Sequence, residues 1–131
     1  MKYSIGFAIA TISIVTLLSS CDRDKSISIG GKGGKGTLNI TPRHHSRNID
    51  SCKVYIKYNE SDKPLIYDDS VWCKNVGGNP VGTFTGLKRG KYYLYGKGWD
   101  ADGQYDVDGG APYEIKEETT LSYTLAVTED H

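Results

Sequence analysis

Alternation with a period of two, in short runs cut by glycine and asparagine, most limits what this chain can become. Residues Cys52 to Tyr58 read CKVYIKY, which sets Cys52, Val54, Ile56 and Tyr58 on one face and Lys53, Tyr55 and Lys57 on the other. Lys91 to Gly96, KYYLYG, separates Tyr92 and Leu94 from Tyr93 and Tyr95. Thr119 to Val127 puts Leu121, Tyr123, Leu125 and Val127 together, and Thr37 to Ile40 pairs Leu38 with Ile40. Shorter runs lie at Val71–Val76, Val81–Phe84 and Ala111–Ile115. Turn-forming stretches separate these runs: Asn59–Pro64, Gly77-Gly78 and Gly86–Gly90. No twelve-residue segment repeats every 3.6 residues, so a helical bundle is excluded. Seven short strands predict an all-β fold, a small antiparallel seven-stranded β-sandwich. The 16 glycines and 10 tyrosines among 131 residues suit hairpin turns and strand faces. Sixteen basic residues balance sixteen acidic ones. That balance argues against nucleic acid as a partner.

The first twenty residues stand apart. Lys2 precedes an apolar run from Ile5 to Leu18, which is short for a membrane span of about 20 residues. It ends in Leu18-Ser19-Ser20-Cys21. This segment reads as a secretory signal peptide, and its end resembles the lipobox of bacterial lipoproteins. The resemblance implies cleavage before Cys21 and lipidation (diacylglycerol on the thiol, with further acyl chains such as palmitate). Two or more chains hold a protein firmly at a bilayer, where one holds it marginally. The mature part resembles sequences of the Bacteroides group, for which outer-membrane placement, on the periplasmic face or the cell surface, is expected. Residues 21–36, with five glycines after Ile29, read as a lipidated cysteine and a flexible tether, leaving 37–128 for the domain. The segment GGKGGKGT departs from a phosphate-binding loop, because Gly36 follows Lys35 where Ser or Thr is needed.

A second resemblance lies in Thr83 to Leu94, TFTGLKRGKYYL. It is similar to the F-x-G-L-x-P-G-x-Y segment of carboxypeptidase-regulatory-like and Cna-B-type domains, which have a transthyretin-like (prealbumin-like) fold. The predicted sandwich is therefore of transthyretin-like or Ig-like type. The resemblance implies that Phe84 and Leu87 plug one end of the core, Gly90 completes the turn and Tyr92 opens the next strand inward. Arg89 stands where the family has proline. Some Cna-B domains form internal Lys–Asn isopeptide bonds. Lys53, Lys57, Asn75, Glu114 and Glu117 are raw material for that chemistry, but no second motif pairs them.

Three cysteines become two once Cys21 is lipidated. Cys52 and Cys73 fall on neighbouring candidate strands and form a candidate disulfide, with a pair of reduced, buried thiols as the alternative. His44 and His45 sit in ITPRHHSRN. Neighbours in an extended segment point to opposite faces, so the pair is not expected to hold one metal ion, and a solvated basic loop is expected instead. The sequence WDADGQYDVDGG, from Trp99 to Gly110, carries four aspartates in nine residues. Asp100, Asp102, Gln104, Asp106 and Asp108 are candidate calcium ligands, although Gly103 comes too early for an EF-hand and no glutamate closes the loop. Trp99 and Tyr105 are candidate stacking residues for a ligand. No nucleophile elbow or catalytic constellation is visible, and no cofactor other than Ca²⁺ is suggested. The expectation is a non-enzymatic, lipid-anchored envelope protein acting as an accessory or binding module, contacting the membrane through its lipid and another envelope protein or a glycan through its domain. The alternatives are a calcium-dependent ligand- or glycan-binding protein and a small glycan hydrolase, whose carboxylates would have to stand about 5–9 Å apart across a cleft.

Overall fold

The structure, a computed structural model, describes residues 29–129. The signal segment, Cys21 and the first part of the expected tether lie outside the described residues. Among the described residues nine strands form: β1 Lys32–His44, β2 Arg47–Asn48, β3 Asp50–Tyr58, β4 Asp69–Trp72, β5 Lys74–Val76, β6 Asn79–Leu87, β7 Gly90–Asp100, β8 Tyr105–Ile115 and β9 Thr120–Glu129. The all-β sandwich is as predicted. The count exceeds seven because the 71–76 run breaks at Cys73 into β4 and β5, and because a two-residue strand, β2, folds back on β1.

Hydrogen bonding links the strands in the order β4-β3-β7-β8-β9-β1-β6-β5. One layer is β4-β3-β7-β8 and the other is β9-β1-β6-β5. They join where β8 meets β9 at Val107↔Glu129 and Asp108↔Thr128. The two ends of the order, β4 and β5, are consecutive in the chain, so the ribbon closes on itself through Cys73. Most pairings are antiparallel, but β1 and β9 run parallel from Thr37↔Thr120 to His44↔Val127.

The inward rows are those the alternation marks. Leu38, Ile40, Val54, Ile56, Phe84, Leu87, Tyr92, Leu94, Ile115 and Leu125 form one core cluster, with Ile49, Cys52, Val107 and Val127 as a second. Each large side chain so buried contributes about 1.5–3 kcal/mol. Tyr92 closes one end of the core. Its hydroxyl donates to the Lys88 carbonyl at 2.6 Å and accepts from the Gly31 amide at 2.8 Å. Burial of this phenol pushes its pKa up, despite those backbone contacts. Phe84, Leu87, Gly90 and Tyr92 thus sit as the second resemblance implies.

The expected tether is corrected over residues 29–36, the part of it that the structure describes. Strand β1 begins at Lys32, and Gly30, Gly31 and Gly36 are buried. Gly30, Gly34 and Gly36 are there for close approach rather than for slack, and Gly31 for its φ of +139°. A Cβ on Gly34 would come within 2.4 Å of the Leu87 carbonyl oxygen, and one on Gly36 within 2.8 Å. Glu118 fastens the same region, accepting from the Lys35 and Arg89 amides, and these two bonds hold its carboxyl below the usual range.

Candidate functional site

Three inward rows end on polar residues at the end of the sandwich remote from Tyr92. On β1 the row Leu38, Ile40, Pro42 finishes at His44; on β7 the row Tyr92, Leu94, Gly96, Gly98 finishes at Asp100; on β9 Leu125 and Val127 are followed by Glu129. Asp100 is eight residues along β7 from Tyr92, about 26 Å at strand rise.

His44 is wholly buried and Asp100 is 2 % exposed. His44 Nδ1 lies 2.7 Å from Asp100 Oδ2, and His44 Nε2 lies 2.7 Å from Glu129 Oε2. Both carboxylates accept, so both bonds form only when each ring nitrogen carries a hydrogen. Arg47 Nη2 donates to the same Asp100 oxygen at 2.8 Å. The other oxygen, Oδ1, accepts from the Asp102 and Gly103 amides at 2.9 and 3.2 Å, which fixes the β7–β8 turn. The His44 contact, then Arg47 and the two amides, hold the Asp100 carboxyl well below the usual carboxylate range, against burial, which pushes it up. Tyr105 packs its ring edge-on to His44, with centroids 5.5 Å apart.

The expected solvated histidine loop is therefore corrected, because His44 is a core residue. The opposite-faces argument also fails at this point. His45 has φ +59°, so the chain is not extended there and turns back into β2. The two imidazole centroids end 4.2 Å apart.

The candidate calcium ligands do not converge. Asp100 points into the core with both oxygens engaged. Asp102 is exposed and near Arg47 Nε at 3.7 Å. Gln104 is exposed in the turn at φ +60°. Asp106 and Asp108 lie on the opposite face of β8 from Tyr105 and Val107, and Asp108 accepts from the Tyr95 hydroxyl at 2.5 Å. The candidate stacking pair is also divided: Trp99 faces outward, 39 % exposed, while Tyr105 faces inward beside His44.

Cys52 and Cys73 are neighbours, as their strand positions predict. The Cys73 amide donates to the Cys52 carbonyl at 2.9 Å, and both residues carry free thiols. The thiols share a hydrogen bond, which with burial pushes Cys73 up. They line a cleft of about 220 Å³ with Asn48, Ile49 and Pro80.

Outward-facing side chains of β3, β4 and β7 form a second feature. Tyr55, Tyr67 and Tyr95 contact one another, each pair with centroids 5.5 Å apart. Lys53 lies over the Tyr55 and Trp72 rings, and Lys63 over Tyr95. A cleft of about 370 Å³ beside them is lined by Tyr55, Tyr67, Asp68, Asp69 and Ser70. The Tyr67 hydroxyl is buried and has no hydrogen-bond partner among the described residues. Burial pushes its pKa up to about 12. The alternation shows Tyr55 and Tyr95 as outward, but Tyr67 comes from the 59–68 connection, which has no period to place it. Lys53 and Lys57 are also outward, with Lys57 beside Asp68 at 3.5 Å.

No family model matches the chain, and no curated protein matches it. Among solved structures it is similar to the major pilin subunit of Bacillus cereus, at 12% identity and TM-score 0.45 over 70% of this chain and 30% of that one. It is also similar to a DUF3823 family protein from Parabacteroides merdae, at 11% identity and TM-score 0.40 over 75% of this chain and 48% of that one. The chain thus spans less than half the length of either neighbour.

Proposed function

We propose that this protein is a non-enzymatic envelope module, anchored in the outer membrane by lipid on Cys21, whose tyrosine face binds a glycan. The observation that carries the reading is the Tyr55–Tyr67–Tyr95 cluster beside its cleft. Aromatic faces stack on the apolar faces of sugar rings, and Asp68, Asp69 and Ser70 supply the polar groups that fix hydroxyl positions. The anchor rests on the Leu18–Cys21 segment. The transthyretin-like assignment rests on the Phe84–Tyr92 segment.

The test uses the full chain in detergent on an array of immobilised bacterial polysaccharides. Retention on at least one glycan is expected, weakened at least tenfold by Tyr95→Ala and restored toward the parent by Tyr95→Phe, which keeps the ring. In cells, Cys21→Ala should move the protein out of the membrane fraction. No retention on any glycan, or retention indifferent to Tyr95→Ala, overturns the binding reading.

A further inference from the structure

His44, His45 and Glu129 each offer a ligand atom, and these atoms lie within 4.8 Å of one another. We propose that they form a binding site for a zinc-class divalent transition metal, through His44 Nε2, one His45 ring nitrogen and a Glu129 carboxylate oxygen. Four observations converge on it.

The first is the donor set. Two imidazoles and a carboxylate suit Zn²⁺ and its neighbours, whereas Ca²⁺ and Mg²⁺ take oxygen only. The second is the setting of His44. Its Nδ1 is fixed by Asp100 at 2.7 Å, and Arg47 backs Asp100 in turn. A carboxylate behind a histidine sets the ring's orientation and tautomer and leaves Nε2 directed at the ion. Asp100 and Arg47 are positioning residues here, since neither reaches the metal.

The third is geometry. Ligand atoms on a tetrahedral zinc stand about 3.4 Å apart, from bonds of about 2.0–2.1 Å. The 2.7 Å His44–Glu129 contact must open slightly and the His45 nitrogen must close. These are side-chain adjustments: Glu129 is 38 % exposed at the end of β9 and His45 is exposed in the hairpin turn. The fourth is the backbone. His45 at φ +59° places two adjacent imidazoles on one side of the chain, which an extended segment cannot do.

The exchange balances simply. Without metal, His44 Nε2 and Glu129 Oε2 share a hydrogen. On loading, that hydrogen leaves to solvent as a proton, the cation takes its place, and Nδ1–H stays on Asp100. Three protein ligands leave a fourth position on a tetrahedral ion for water or another ligand. The ion would also tie the β1–β2 hairpin to the last strand.

Zinc titration of the untagged full chain by calorimetry tests this directly. One equivalent should bind, with an X-ray absorption shell of nitrogen and oxygen only. His45→Ala should weaken binding at least tenfold with an unchanged melting midpoint in the metal-free protein, because His45 is exposed. Glu129→Gln should do the same to affinity, and Asp100→Asn should weaken it by about 10–100-fold. Absence of saturable binding overturns the proposal. So does parental affinity in both His45→Ala and Glu129→Gln. A sulfur shell at about 2.3 Å, or loss of binding on alkylating the thiols, assigns zinc to Cys52 and Cys73 and overturns it equally.

Discussion

Oxidation of Cys52 and Cys73 gives the sharpest test of how the sandwich closes. The register Lys53↔Trp72 sets Cys52 directly opposite Cys73, and the 2.9 Å amide–carbonyl bond makes this a hydrogen-bonded pair. Such pairs have Cα atoms about 5.5 Å apart. A disulfide accepts about 4.4–6.8 Å, so the bond needs side-chain rotation and little backbone movement. Oxidised glutathione takes up the two electrons and the two thiol protons, its own disulfide breaking to give two glutathione thiols as the Cys52–Cys73 bond forms. The closed loop holds about 20 residues, which the loop-entropy relation converts to about 3 kcal/mol of stabilisation. At about 4–8 °C per kcal/mol for a domain near this size, the melting midpoint should rise by about 12–24 °C. The assay is a thermal melt, followed by tryptophan fluorescence, of the full chain after oxidised glutathione and again after dithiothreitol. Cys73→Ser should melt identically under both. Two alkylatable thiols remaining after oxidation would refute the geometric argument. A bridge that forms without moving the midpoint would refute the energetic one, showing that strain cancels the entropy.

Two further outcomes follow from the folded structure. The depressed Asp100 carboxyl stabilises the fold fully above the ordinary carboxylate value of about 3.9, and that contribution is lost as pH falls through its lower folded value. Asp100→Asn should therefore lower the urea midpoint at pH 7, with the gap from the parent narrowing below about pH 4; a gap independent of pH would count against the ion pair. Gly90 has φ +148°, and a Cβ there would come within 2.4 Å of the Gly30 amide nitrogen. Gly90→Ala should cost more than about 1 kcal/mol in urea unfolding, and a neutral result would mean that residues 29–31 do not pack as described.

The sandwich was legible because apolar residues recur at every second position. Leu38, Ile40, Val54, Ile56, Leu94, Leu125 and Val127 all face inward, as the alternation requires. The polar end was less legible, although its signal is present. Continuing the same rows by steps of two leads from Leu38 to His44, from Leu94 to Asp100 and from Val127 to Glu129. The apolar pattern stops before these residues, so they read as loop, and Asp100 reads as one more member of an acidic cluster. Nothing in the sequence shows that His45 adopts a left-handed conformation, and that one dihedral angle decides whether the two histidines diverge or meet. The glycines of 30–36 misled for a related reason. Glycine serves both slack and close approach, and only the neighbouring Leu87 and Lys88 backbone tells which applies.

The parallel pairing of β1 with β9 bears on how the protein withstands mechanical load. A pull that enters at the start of β1 and is resisted at the end of β9 runs along both strands in opposite senses. The eight register pairs from Thr37↔Thr120 to His44↔Val127 then share the force in shear. An antiparallel hairpin pulled from its open end gives way one pair at a time. Strands loaded in shear must lose many bonds together, so the same number of hydrogen bonds resists far more tension.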